Sequence, residues 1–437
     1  MSTDRGGTAS VLPLNDFQRL MRYWDEFQPF SGIDAIEARG EIDAENLRAC
    51  AEEELASLGV GLPVAAPDGL SVTYRPGRPA VSMETVNPAT GMTSCAALAA
   101  QCSAELNRPF RDAVAPLIRL WVVLTTPQPH IGMTWQHWPI DGVSAADLFR
   151  RILARFVGIP LAPEATATKL IGPDLAAIFQ PWQTWRHRAR FLLETLHENY
   201  RFTRIYAPPR PPLENTSLHV HLLDLAHPHR PAGATVNDVV AAAVIWAVAD
   251  AFPERYRYLW RRRLNLLNFV DLRPFGGEAL RHPWGSFLAF FIFNMPEPRP
   301  ASFDDLIRSF RDQSLWARER ETFIASLFGL RTLRAVWPCL PRSWRWSLPR
   351  RITPITAGLT NTRYRAEWSG GPLGEHFGRS WRVAPLGCMA PLTADVCTKG
   401  DQVSLALTCE NRGPMSERIE AIKEKISSLL DTRGRNA

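Results

Sequence analysis

The sequence predicts a mixed α/β protein in two halves, and three observations carry that expectation. Apolar, strand-like runs alternate with amphipathic helical patterns along the whole chain. No period of solenoid length repeats, and no segment is low in complexity. A cluster of prolines (Pro208, Pro209, Pro211 and Pro212) stops a long basic and aromatic helical pattern over residues 182–206 and marks a hinge. The expected lobes are therefore 1–207 and 208–437.

Gross composition fits this division. The chain has 437 residues, of which 46% are hydrophobic and 22% charged, the balance of a globular protein with room for two cores. No apolar run reaches the roughly 18–20 residues of a membrane span, and residues 1–10 are too polar for a signal peptide. The seven cysteines form no CxxC pair, so reduced, mostly buried thiols and a cytoplasmic location are expected. Net charge is +6, carried far more by arginine than by lysine. That balance suits anionic partners such as CoA phosphates or an acidic carrier protein. It does not point to nucleic acid, because no recognition motif accompanies it.

The elements follow in order. Residues 15–23 read as a helix, 32–40 as a strand, and 44–58 as a helix with Leu47, Ala51, Leu55 and Leu58 on one face. A strand-rich stretch then runs to about residue 134. The apolar run from Ile131 to Trp135 leads into Gln136-His137-Trp138-Pro139-Ile140-Asp141-Gly142. Ser144 and Asp147 read as a capping box, opening a helix whose apolar stripe is Leu148, Phe149, Ile152, Leu153 and Phe156. Arg150, Arg151 and Arg155 are expected to face away from that stripe. The second half opens with a strand at 218–225 and a buried helix starting near Thr235. A further strand ends at Asp271-Leu272-Arg273-Pro274, and a helix over 304–316 is capped by Ser302 with Asp305. An alternating strand at 403–409 and an amphipathic helix at 417–430 close the chain.

A histidine, three spacers, an aspartate and a glycine at a strand-to-helix junction can present one imidazole to a cavity. His137, Asp141 and Gly142 in this setting resemble the HHxxxDG motif of the CoA-dependent acyltransferase superfamily, which includes condensation domains, wax ester synthases and polyketide-associated acyltransferases. Gln136 stands where that motif has its first histidine. Further short elements resemble the family in the expected order. They are the lead-in Pro109-Phe110 and Pro116 to Arg119, the run Thr235 to Val240, Asp271 to Pro274, Gly285-Ser286, and Thr360-Asn361. The resemblance implies two chloramphenicol-acetyltransferase-like α/β lobes forming a V, with the motif midway along a central tunnel. The DFGWG element of plant-type members is absent.

Thioester acyl transfer needs a base or acceptor at the attacking hydroxyl or amine, positioning, and donors for the developing oxyanion. Neutral imidazole, with an ordinary pKa of about 6.5, suits the first of these roles. His137 is expected to be the catalytic group. The resemblance implies that Asp141 points away from substrate and pairs with an arginine, and Arg273 is the expected partner, tying the motif turn to the second half. Gly142 offers a backbone N–H near a helix N-terminus. Asn361, Thr360 or Thr362 would add a second donor, and Gln136 would support the turn. Trp135 and Trp138 flank the site as channel candidates, although tryptophan at such positions is as often core.

Two further patterns are weighed. His219, His221, His227 and His229 form two HxH pairs, but no carboxylate or cysteine spacing completes a ligand set, so no metal is expected. Residues 331–351 interleave arginine with Trp337, Trp344 and Trp346, with breaks at Pro338, Pro341 and Pro349. Such a surface suits a carrier protein, a phosphopantetheine arm or a membrane interface. The reading is an acyltransferase with no cofactor, acting as a monomer. Its substrates would be acyl-CoA or a phosphopantetheinyl thioester on a carrier protein, plus a small hydroxyl or amine acceptor, in bacterial secondary metabolism. The rivals are a non-catalytic recruitment module and a tunnel enzyme that cyclises or hydrolyses a carrier-bound substrate.

Overall fold

The computed structural model describes residues 10–75, 78–110, 115–161, 175–179, 189, 192–193, 196–198, 200–203, 217–225, 227–257, 262–280, 284–363, 368, 371–387 and 389–431. The expected boundary at 207/208, its proline cluster and most of the helix expected over 182–206 lie outside the described residues. The chain divides into two compact units. One comprises Met1–Ile178 with Leu272–Phe287 and Tyr364–Ser380; the other comprises Phe179–Asp271, Leu288–Arg363 and Trp381–Ala437. Both are mixed α/β.

The first unit begins with β1 (Ser10–Pro13) and α1 (Asp16–Asp25), capped by Asn15 with Gln18 in a reciprocal capping box. Next come β2 (Ser31–Ala38), α2 (Ala44–Leu58), β3 (Leu62–Ala65), β4 (Ser71–Arg75), β5 (Met83–Val86) and α3 (Ser94–Leu106). β6 (Ile118–Val123), β7 (His130–Gln136) and α4 (Gly142–Phe156) complete the N-terminal part. β1, β4 and β3 make a small three-stranded sheet.

In the main sheet β7 lies between β2 and β6, antiparallel to both, and every one of its residues is buried. Two glycines make this sheet possible. Trp121 on β6 stands directly opposite Gly132 on β7, and Trp135 on β7 directly opposite Gly32 on β2. Each indole lies across the backbone of its glycine, so that a Cβ on Gly132 would sit 2.1 Å from Trp121 and one on Gly32 would sit 2.3 Å from Trp135. The buried indole N–H groups are satisfied by Thr134 (3.0 Å) and Asp34 (3.1 Å).

Of the three α4 arginines expected to face away, Arg155 is exposed, whereas the other two turn inward. Arg150 and Arg151 are buried, and Asp147 binds both at 2.7 Å. Glu54 of α2 takes Arg155 at 2.9 Å and lies 3.6 Å from Arg151. The apolar stripe of α4 is narrower than the buried face, and Asp147 of α4 itself with Glu54 of α2 supplies the carboxylates that let the Arg150 and Arg151 guanidinium groups enter it.

The second unit carries β8 (Leu218–Leu225), α5 (Val236–Ala251), β9 (Asn265–Asp271), β10 (Leu288–Asn294), α6 (Phe303–Glu319), α7 (Ala325–Val336), α8 (Arg342–Ile352) and β11 (Ala357–Arg363). β12 (Phe377–Val383) runs beside β2 at the edge of the first sheet, completing the order β12-β2-β7-β6-β5. β13 (Leu392–Lys399), β14 (Gln402–Glu410) and α9 (Pro414–Leu430) follow. The second sheet has the order β10-β9-β11-β13-β14-β8, with β11 parallel to both of its neighbours. α5 is apolar nearly all round and packs against α6 and α9, as a helix without a polar face must. Its start is a capping box between Thr235 and Asp238. Pro349 was expected to break helicity, yet it sits within the last turn of α8, where only one backbone bond is forfeited.

Candidate functional site

β7 ends at Gln136, and the chain turns through His137-Trp138-Pro139 before α4 begins at Gly142. The cap of α4 is Asp141, not Ser144. Its Oδ1 accepts from the backbone N–H groups of Val143 (3.1 Å) and Ser144 (3.0 Å). A carboxylate is a stronger acceptor than a hydroxyl at a helix N-terminus, so the helix starts three residues earlier than the capping-box pattern suggested. Ser144 is thereby released from capping, and its hydroxyl donates to the carbonyl of Gly285 at 3.0 Å.

Asp141 is wholly buried and saturated with donors. Arg273 donates from Nη1 to Oδ2 (2.8 Å) and from Nη2 to Oδ1 (3.0 Å), and the Phe287 N–H adds a bond to Oδ2 at 3.0 Å. Burial pushes the Asp141 carboxyl up. Arg273 and the N–H groups of Phe287 and Ser144 outweigh it and hold the group below its usual range. Arg273 comes from a segment of the second half of the sequence that folds into the first unit.

Gly285 is the hub on the other side. Its carbonyl accepts from the Asp141 N–H (3.1 Å), the Ser144 hydroxyl and Arg273 (3.3 Å), and its φ of +141° is one that side-chain-bearing residues rarely adopt. Asn15 reaches the Ser286 carbonyl at 2.5 Å, and Gln18 reaches the Pro139 carbonyl at 3.0 Å. The N-terminal helix is thus bonded to both sides of the turn. A void of about 20 Å³ behind it, lined by Gln18, Tyr74, Pro139, Trp284 and Gly285 among others, has room for about one water. Sequence reasoning noted Gly285 only as a family position. Its partnership with Ser144 and the contributions of Asn15 and Gln18 carried no local signal.

His137 is half-buried, with its ring against Trp135 (centroids 4.7 Å apart) and Phe30 (5.4 Å). Its backbone N–H donates to the Phe30 carbonyl at 3.2 Å, which continues the β2–β7 edge by one residue. Gln136 donates from Nε2 to the carbonyls of Pro116 (2.9 Å) and Ala115 (3.4 Å) and accepts the Trp138 indole N–H at 2.9 Å. Trp135 and Trp138 are both buried. Gly142 is the first residue of α4 and is half-buried. The lead-in before β6 is held by buried Arg119, which bonds Glu105 and the carbonyls of Arg108 and Pro109 and lies 3.9 Å over the Phe110 ring.

The remaining candidates belong to the second unit. Thr360 on β11 donates to Asp395 at 2.9 Å, Asn361 is exposed, and Thr362 accepts from Arg382 at 2.9 Å. His221 lies 3.5 Å from Glu420 and has its pKa lowered, by burial first and by Lys423 second. Among the described residues no group of three His, Cys, Asp or Glu side chains is arranged to hold a metal ion. The second unit also holds a cavity of about 400 Å³ walled by Phe290, Ile292, Trp316 and Ala325, with Glu198 at its edge bonded to Arg263 (2.6 Å) and Asn265 (3.3 Å). Among the described residues no helix is long and apolar enough to cross a membrane.

No protein-family model matches the chain, and no curated protein matches it. Solved structures do. The EpoB NRPS cyclization-docking bidomain from Sorangium cellulosum is 14% identical over 96% of this chain and 85% of its own, with a TM-score of 0.63. Polyketide synthase associated protein 5 from Mycobacterium tuberculosis is 14% identical over 98% of this chain and 100% of its own, with a TM-score of 0.62. The starter condensation domain of rhizomide synthetase RzmA, in complex with C8-CoA and Leu-SNAC, is 14% identical over 96% of this chain and 95% of its own, with a TM-score of 0.60. The two α/β units described above therefore share the fold of condensation and cyclization domains.

Proposed function

We propose that the protein is an acyltransferase that moves an acyl group from a CoA or carrier-protein thioester to a hydroxyl or amine acceptor. The observation that carries this reading is the placement of His137: one half-buried imidazole at the end of a fully buried strand, on a turn locked by the Asp141–Arg273 pair. A rigid support is what a positioned base requires. The fold adds weight, because a neighbour of the same fold was solved with C8-CoA and Leu-SNAC.

In the proposed reaction His137 accepts the proton of the acceptor hydroxyl or amine as its oxygen or nitrogen attacks the thioester carbonyl. The carbon–sulfur bond then breaks, and the departing thiolate takes the proton back. General base catalysis of this kind is worth about 10²–10⁴-fold in rate. The Gly142 N–H, in the first turn of α4, is a candidate oxyanion donor. The thioester is substrate, so no resident cofactor is required. Bacterial secondary metabolism is the proposed setting, and a carrier protein the proposed trans-acting donor.

The test is thiol release from a panel of acyl-CoAs and acyl carriers in the presence of hydroxyl and amine acceptors. The wild-type protein should release thiol in an acceptor-dependent manner, and His137→Ala should lose most of that rate with unchanged melting. Full activity in His137→Ala sinks the reading. A second reading, cyclisation of a carrier-bound substrate, is favoured by likeness to the cyclization bidomain. It would show as a product lighter than the simple acyl adduct by one water.

A further inference from the structure

Residues 322–366 contain eight arginines and no aspartate, glutamate or lysine, whereas the whole chain has 50 basic and 44 acidic residues. Of these, the structure exposes Arg331 and Arg342 on either side of the connection between α7 and α8. α7 buries Leu330, and the turn that follows buries Trp337. Arg331, Val336, Pro338, Arg342 and Trp344 are exposed. Val336 is 44% exposed and Trp344 58% exposed, high values for large apolar side chains with a core beneath them. Arg345 pins the connection, donating to the carbonyls of Leu340 (3.0 Å) and Pro338 (3.2 Å). The apolar tips and the flanking guanidinium groups are therefore presented from a fixed turn between two helices.

We propose that this α7–α8 surface docks on an anionic lipid bilayer. Two properties decide between partners. An acidic protein would be matched by the arginines alone and would leave Val336 and Trp344 unused. A bilayer interface takes both: tryptophan settles at headgroup depth, and guanidinium groups bind lipid phosphates in pairs of hydrogen bonds. No carboxylate falls within the run itself to offset its arginines against a negative membrane. The reading does not depend on the acyltransferase proposal.

The experiment is co-sedimentation of the full chain with vesicles of phosphatidylcholine alone or mixed with phosphatidylglycerol, at low and high salt. The wild-type protein should partition into mixed vesicles at low salt, be released by high salt, and stay in the supernatant with neutral vesicles. Trp344→Ser should lower partitioning several-fold. The pair Arg331→Glu with Arg342→Glu should lower it on the order of tenfold or more. A control of equal charge change elsewhere, Arg48→Glu with Arg230→Glu, should bind close to wild type. Arg48 is half-buried and paired with Glu45 while the other side chains are exposed, and circular dichroism checks that each variant is folded. Absence of partitioning, equal partitioning into neutral vesicles, an equal loss in the control, or capture of an acidic carrier protein without vesicle binding would each overturn the proposal.

Discussion

Replacing Asp141 with alanine should unfold the motif turn rather than silence a catalyst. The side chain accepts two bonds from Arg273, two from the start of α4 and one from the Phe287 N–H, all in a site closed to solvent. Removing one partner of a buried ion pair costs about 3–5 kcal/mol, because the other charge is stranded. Loss of a helix cap costs about 1 kcal/mol. The same two oxygens serve both roles, so the total is about 4 kcal/mol rather than the sum. For a unit of this size, each kcal/mol lowers the melting temperature by roughly 2–4 °C, which predicts a drop on the order of 10 °C. Differential scanning fluorimetry on Asp141→Ala, Arg273→Ala and the double variant measures it. The double variant should be more stable than the sum of the singles predicts, since it leaves no stranded charge. Unchanged melting with lost turnover in Asp141→Ala would refute this reasoning and make the aspartate catalytic.

Three further outcomes follow from the same unit. Gly132→Ala forces a Cβ to within 2.1 Å of the buried Trp121 ring and should cost about 3 kcal/mol, read as a lower denaturation midpoint. His130 is buried with Thr125 Oγ1 2.8 Å from Nδ1, and burial depresses its pKa to about 4, only partly offset by Glu37. The unfolded chain then binds the extra proton first. Stability should be full above about pH 6.5 and fall by about 3 kcal/mol as pH drops towards 4, a slope that His130→Gln flattens in urea titrations. Asp141, whose pKa is depressed, adds a separate loss below about pH 3.9 that Asp141→Asn removes.

The elements that carry their own pattern were legible. Helix α2 and strand β8 begin and end where periodicity places them, because their caps and apolar spacing are local. The Ser302 cap of α6, with Asp305 three residues on, was likewise visible in four residues. What failed was competition between adjacent signals. Ser144 and Asp147 look like a cap in isolation, but Asp141, three residues upstream, offers a charged acceptor that Arg273 also neutralises. The buried face of α4 failed for a related reason. Arginine reads as solvent-facing until a distant glutamate, here Glu54, is known to meet it. Gly285 and Gln18 act on the turn from 144 residues downstream and 123 residues upstream of Asp141, with spacing that no local pattern encodes.

Gln136 stands where the motif that this turn resembles has a histidine, and its hydrogen bonds show what an amide does at that position. The site asks for one acceptor and two donors: an oxygen for the Trp138 indole and N–H groups for the Pro116 and Ala115 carbonyls. A neutral imidazole carries one donor and one acceptor, and so would leave one of the two carbonyls unmet. A primary amide carries all three on one plane. These bonds tie the end of β7 to the residues just before β6, and so fix the point from which His137 projects. The amide therefore braces the turn on which the neighbouring imidazole of His137 sits.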